Sequence, residues 1–210
     1  MKKNRRISPV SDNQDKRNTY QTNIRRYNKA IKEGFYYEAL LIDYAMMEDR
    51  LRSFLYHMGL LRTRSSYKAN VNEVKKSLKG IIQTYKRPKE NDYFNVTSIS
   101  GKMKIVRCTL LWAEQELGDC EDKYLLSLRR QYDKYIDAER LMNALDDIER
   151  WCSYRNEIIH ALMNKNVEST YQDIAFQAEE GMRLCRELDS QVDRLKTGNR
   201  IRKSIKLQNK

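Results

Sequence analysis

The sequence predicts an all-α fold, a helical bundle of about five to six helices, and three observations lead there. Apolar residues recur at alternating steps of four and three along most of the chain, the spacing of a helix with one buried face. Only seven glycines and two prolines occur in 210 residues, and Pro9 and Pro88 both fall outside the strongly periodic segments. The chain is 40% hydrophobic, enough for a sizeable core, yet no apolar run approaches the length of a membrane span.

Taken in order, residues 1–17 are polar and basic and read as a disordered arm. A single helical domain is expected over 18–197, followed by a basic tail over 198–210. From Asn18 on, Tyr20, Ile24, Tyr27 and Ile31 mark a first helix whose other face carries Arg25, Arg26, Lys29 and Lys32, and Gly34 interrupts or ends it. The second helix, about Phe35 to Leu61, has the seam Leu40, Tyr44, Met47, Leu51, Phe54 and Met58. Ala39, Ile42, Ala45, Met46 and Leu55 widen that stripe, so this helix should be central. Val71 to Tyr85 forms a third helix, and Lys86 to Ser100 a long polar loop. Met103, Val106, Leu110, Ala113 and Leu117 mark the next helix, ended by Gly118 and Asp119. A tyrosine-rich segment, Glu121 to Tyr135, then leads into the helix beginning at Ala138, either continuously or after a bend near Asp137. Ser169 with Gln172 resembles a capping box and opens a last helix, with Ile174, Ala178, Gly181, Cys185, Leu188, Val192 and Leu195 on its seam.

The net charge of +12 sits at the ends. Residues 1–33 carry ten Lys/Arg against three acids and residues 196–210 carry six against none, whereas the 162 residues between them sum to −1. Basic ends attract polyanions by counterion release, which points to RNA as partner and to Lys2, Lys3, Arg5, Arg6, Arg25, Arg26, Arg200, Arg202 and Lys203 as contacts. The plain alternative is that these charges only maintain solubility. Four cysteines without a C-x-x-C pair and two histidines argue against a zinc site, and no other cofactor is expected. The N-terminal MKKNRRISPV lacks a hydrophobic stretch for export, so a reduced, cytoplasmic protein without membrane association is expected.

The most informative stretch is Ala138 to Asn164. Leu141, Leu145, Ile148, Cys152, Ile159 and Leu162 form its seam, and Arg155 holds the one seam position that is not apolar. A guanidinium so placed is costly unless a carboxylate or phosphate meets it. Asn156 and His160, four apart, flank the same seam, so an amide, an imidazole and a guanidinium gather at one edge. Arg52 and His57 repeat the bare spacing. Arg52, however, lies off its helix's seam, can pair with Glu48 one turn away, and is followed by Ser53 rather than Asn.

The string R-N-x-x-x-H from Arg155 to His160, late in a small helical chain, resembles the R-x(4–6)-H signature of the HEPN superfamily, where Asn often follows the Arg. The likeness extends in layout over roughly residues 18 to 195, with an acid upstream on a long helix, although its sharp part is those six residues. It implies a HEPN-like bundle, a homodimer in which two R-x4-H motifs face each other, and metal-independent endoribonuclease chemistry with Arg155, His160 and Asn156 as catalytic residues. Beside what the resemblance implies, Glu48 is a candidate to orient the guanidinium, with pairing to Arg52 as the plain alternative, and Tyr44 is a candidate through its hydroxyl, with a core packing role as the alternative. Cleavage would leave a 2′,3′-cyclic phosphate and a 5′-hydroxyl, in a toxin or antiviral (abortive infection) effector restrained by an antitoxin or regulatory protein. Leu162 stands where toxins paired with nucleotidyltransferase antitoxins tend to carry Tyr, so adenylylation there is not implied. The competing readings are a catalytically inactive HEPN-like module that binds RNA or protein, and a dimerising scaffold.

Overall fold

A computed structural model describes residues 14–58, 97–114, 126, 130, 132–161 and 173–198. Among the described residues all regular structure is helical. Five long helices are seen: α1 (Gln14–Glu33), α2 (Tyr36–His57), α3 (Ile99–Glu114), α4 (Ala138–Ala161) and α5 (Ile174–Gly198). None is long and apolar enough to cross a membrane. The expected helix over Val71 to Tyr85, most of the loop before Ser100, the Ser169/Gln172 capping box, and the basic contacts at Lys2, Lys3, Arg5, Arg6, Arg200, Arg202 and Lys203 lie outside the described residues.

Local chemistry fixes the helix ends. Gly34 adopts φ 76°, and the amides of Gly34 and Phe35 turn back onto the carbonyls of Ile31 and Ala30. This is the left-handed closure that glycine alone makes without a Cβ penalty. Ser98 Oγ accepts from Gly101 N at 3.0 Å and so caps α3, which puts Ile99 and Ser100 in the helix rather than in the preceding loop. Asp137 Oδ1 accepts from Arg140 N at 3.2 Å. Ile136 and Asp137 are not helical, so the segment ending at Tyr135 and α4 are separated by a two-residue break. α1 starts at Gln14, so residues 14–17 are helical and the boundary expected after residue 17 is corrected.

The described residues divide into two compact units, those within 1–47 and 144–190 and those within 48–143 and 191–210. In the first, Tyr27 Oη donates to Ala178 O at 2.9 Å and ties α1 to α5, while Trp151 Nε1 donates to Gln177 O at 2.8 Å and ties α4 to α5. Cys185 Sγ donates to Asp43 O at 3.3 Å, and a Cβ on Gly181 would stand 2.6 Å from Asp43 Oδ2 and 2.8 Å from Trp151 Cζ2. Gly181 therefore lets α5 touch α2 and α4. In the second unit, Phe54, Leu55 and Met58 of α2 are buried, as are Met103, Val106 and Leu110 of α3. Lys102, wholly buried, donates from Nζ to Glu48 Oε1 at 2.7 Å and to the carbonyls of Thr97 and Ser98.

Candidate functional site

α4 places Arg155 as its seam requires. Ile148, Trp151 and Cys152 below it and Ile158 and Ala161 above it are buried, so the guanidinium emerges from an apolar stripe. Trp151 and Ile158 belong to that stripe although the aliphatic spacing did not mark them, and Ile159 is only half-buried. The Cys152 thiol, one turn below, is pushed up to about 11 by burial, against a lowering pull from Arg155.

Tyr44 of α2 supports the guanidinium from beneath. Arg155 Cζ lies 4.6 Å from the centroid of the Tyr44 ring, a cation–π contact. The expected role for Tyr44 is thus corrected in its chemistry: the ring face holds Arg155, not the hydroxyl. Arg155 Nη1 donates to Asn156 Oδ1 at 3.0 Å, which fixes the plane of the fork. Arg155 Nε is buried and has no hydrogen-bond partner among the described residues. A buried N–H without an acceptor costs about 1–3 kcal/mol, and an incoming anion oxygen relieves that cost.

Two carboxylates of α2, Asp43 and Glu48, have surroundings of their own. Asp43 Oδ1 and Oδ2 are buried and accept no hydrogen bond among the described residues. Burial raises the Asp43 pKa to about 9, with Arg186 pulling the other way, so the group is neutral at pH 7. Glu48 is held by Lys102 Nζ at 2.7 Å and by Arg52 at 3.7 Å. Glu48 thus neutralises a buried lysine.

His160 is exposed in the last turn of α4, and Asn156, one turn before it, is exposed too. His57, by contrast, is 5% exposed, and Arg52 is engaged by Glu48, so the second copy of the spacing offers no surface imidazole. Leu41, exposed at 51%, and Ala45 flank Tyr44 on α2, leaving apolar surface beside the Arg155 platform.

No family model, curated protein or solved structure matches the chain. The site therefore stands on its own geometry: a guanidinium on an aromatic face, a neighbouring amide, and an exposed imidazole within six consecutive residues. Among the described residues no group of three or more His, Cys, Asp or Glu could hold a metal ion. Of the residues proposed for RNA contact, Arg25 is exposed, whereas Arg26 Nε and Nη2 lie 3.0 and 2.8 Å from Glu38 Oε1. Tyr132, of the tyrosine-rich segment, is 4% exposed and serves as a packing residue.

Proposed function

We propose that this chain is a HEPN-type, metal-independent endoribonuclease that works as a homodimer, in the role of a toxin or antiviral effector. The observation that carries the reading is Arg155: its guanidinium is held in an apolar seam by Tyr44 and Asn156, with Nε buried and lacking an acceptor among the described residues. A phosphate diester supplies the missing acceptor and the countercharge together.

In the proposed reaction His160 takes the proton from a ribose 2′-hydroxyl, and the 2′-oxygen attacks the adjacent phosphorus. Arg155 stabilises charge on the phosphoryl oxygens as the bond to the 5′-oxygen breaks. His160 of the partner subunit gives its proton to that leaving oxygen, so a 2′,3′-cyclic phosphate and a 5′-hydroxyl result and no net proton is consumed. One copy of the motif has a single titratable group for two proton transfers, which is why the reading requires a two-fold pair. Exposed Leu41 and Ala45 beside Tyr44 supply apolar surface for such a pairing.

Incubation with labelled single-stranded RNA in EDTA tests the proposal. Cleavage persists, its products carry cyclic phosphate ends, and His160→Ala lowers the rate by at least ~100-fold while sedimentation shows an intact dimer. A metal requirement, or normal cutting by the His160→Ala protein, refutes it. RNA binding without cleavage, indifferent to His160, would instead identify a catalytically silent binding module.

A further inference from the structure

α1 carries a charged face that the described fold does not neutralise. Tyr20, Tyr27 and Ala30 are buried on its apolar side, and Tyr27 is bonded to Ala178 O. At 3.6 residues per turn, Asn18, Gln21, Arg25, Asn28, Lys29 and Lys32 fall within roughly one third of the circumference on the opposite side. All six are exposed. From Lys16 to Lys32 the helix contains six cations and no acid. Arg26 leaves the set because it is paired with Glu38. Arg25, Lys29 and Lys32 have no ion pair among the described residues, and Glu33, one turn beyond Lys29, forms none with it. Arg150 of α4 and Arg183 of α5 differ, since they are neutralised by Asp147 and Glu180.

We propose that this outward face of α1 is a binding surface for the sugar–phosphate backbone of a nucleic-acid strand. A basic amphipathic helix can also lie on an anionic membrane, but that requires a free apolar face, and the apolar face of α1 is buried in the fold. Amides placed between the cations suit a strand better than a carboxylate-rich peptide, because Asn18, Gln21 and Asn28 can hydrogen-bond to phosphate and sugar oxygens. Residues four apart advance about 6 Å along the axis, so Gln21, Arg25 and Lys29 present donors in a regular row. The surface needs no cleavage chemistry and is independent of the nuclease reading, with which it shares only the class of ligand.

The test uses the full chain carrying His160→Ala, so that strands stay intact, and measures anisotropy with labelled single-stranded RNA and DNA of one sequence across a salt series. Removing Arg25, Lys29 and Lys32 together, each to Ala, lowers the slope of log K against log salt by about 2, near 0.7 for each cation lost. The triple replacement of Arg130, Lys134 and Arg194, exposed cations outside the stripe, gives the same change in net charge and leaves the slope unaltered. Circular dichroism verifies that both variants are folded. Binding of either strand through the stripe supports the assignment, and tighter binding of RNA adds contacts to the 2′-hydroxyl. Equal losses in the two triples, an unchanged slope, or preference for polyglutamate or anionic vesicles over both strands overturns it. Since no cutting is read, failure of the nuclease proposal leaves this result untouched.

Discussion

Replacing Asp43 by an asparagine should remove a pH dependence from folding. The side chain is wholly buried, both oxygens lack hydrogen-bond partners among the described residues, and burial lifts its pKa from 3.8 to about 9. The charged and titratable groups around it are Arg186, which opposes the shift, Tyr27, itself raised chiefly by burial and further by Asp43, and the Cys185 thiol, which reaches the Asp43 carbonyl. Between the two pKa values the folded protein holds a proton that the unfolded chain has released. The contribution of this group to stability is therefore complete below pH 3.8, falls as pH rises, and is lost by about pH 9. Each pH unit inside that window costs about 1.4 kcal/mol, so moving from about pH 5 to about pH 8 costs on the order of 4 kcal/mol. A carboxamide at this position has no proton to acquire. Urea denaturation followed by circular dichroism at several pH values should show Asp43→Asn and the parent converging in acid and separating progressively toward pH 8, with the variant more stable. Parallel curves would show that the carboxyl is ionised in the folded state and that its neutral burial is misjudged.

Gly181→Ala, which drives a methyl group to 2.6 Å from Asp43 Oδ2 and 2.8 Å from the Trp151 ring, should destabilise by about 1–3 kcal/mol despite alanine's better helix propensity, read from the urea midpoint. Tyr44→Phe keeps the aromatic face under Arg155 and should cleave RNA nearly as the parent does. Tyr44→Ala loses a contact worth about 0.5–2 kcal/mol and should cleave several-fold more slowly, and equal rates for the two variants would refute the cation–π support. Glu48→Gln strips a buried ammonium of its carboxylate and should cost about 1.5–3 kcal/mol of stability, while the rate per folded molecule stays unchanged. A lost rate with normal stability would return Glu48 to the site.

What the sequence made legible was periodic. Every seam residue expected for α5 is buried, from Ile174 through Gly181 and Cys185 to Leu195, because a regular helix projects its spacing directly onto one face. The same logic located Arg155 on the seam of α4 and set Arg52 beside Glu48. It missed Trp151, whose ring is buried while its Nε1 reaches the Gln177 carbonyl, since a residue with a polar tip does not announce burial. It placed Ala45 inside the stripe of α2, where it is exposed, because a wide apolar face does not say which edge its neighbours cover. Least legible were the polar groups of the interior. Asp43 and Lys102 are charged residues on helices, yet both are wholly buried, Lys102 on Glu48, 54 residues away in sequence. Those outcomes depend on which helices meet, a long-range fact that one sequence does not display. For the site, the residue types and their order were readable, but the stacking of Arg155 on Tyr44 was not, since it joins two helices more than a hundred positions apart.

The bare Cα of Gly181 has a bearing on how such chains diverge. With only a hydrogen atom between α5 and the Asp43 carboxyl, positions 43 and 181 form one volume shared by two residues. A larger residue at 181 becomes tolerable only when 43 shortens to serine or alanine and the Trp151 ring also gives way, and a longer acid at 43 demands that 181 remain glycine. Among diverged relatives these two columns should change together, a joint signature by which distant kin of this bundle can be recognised.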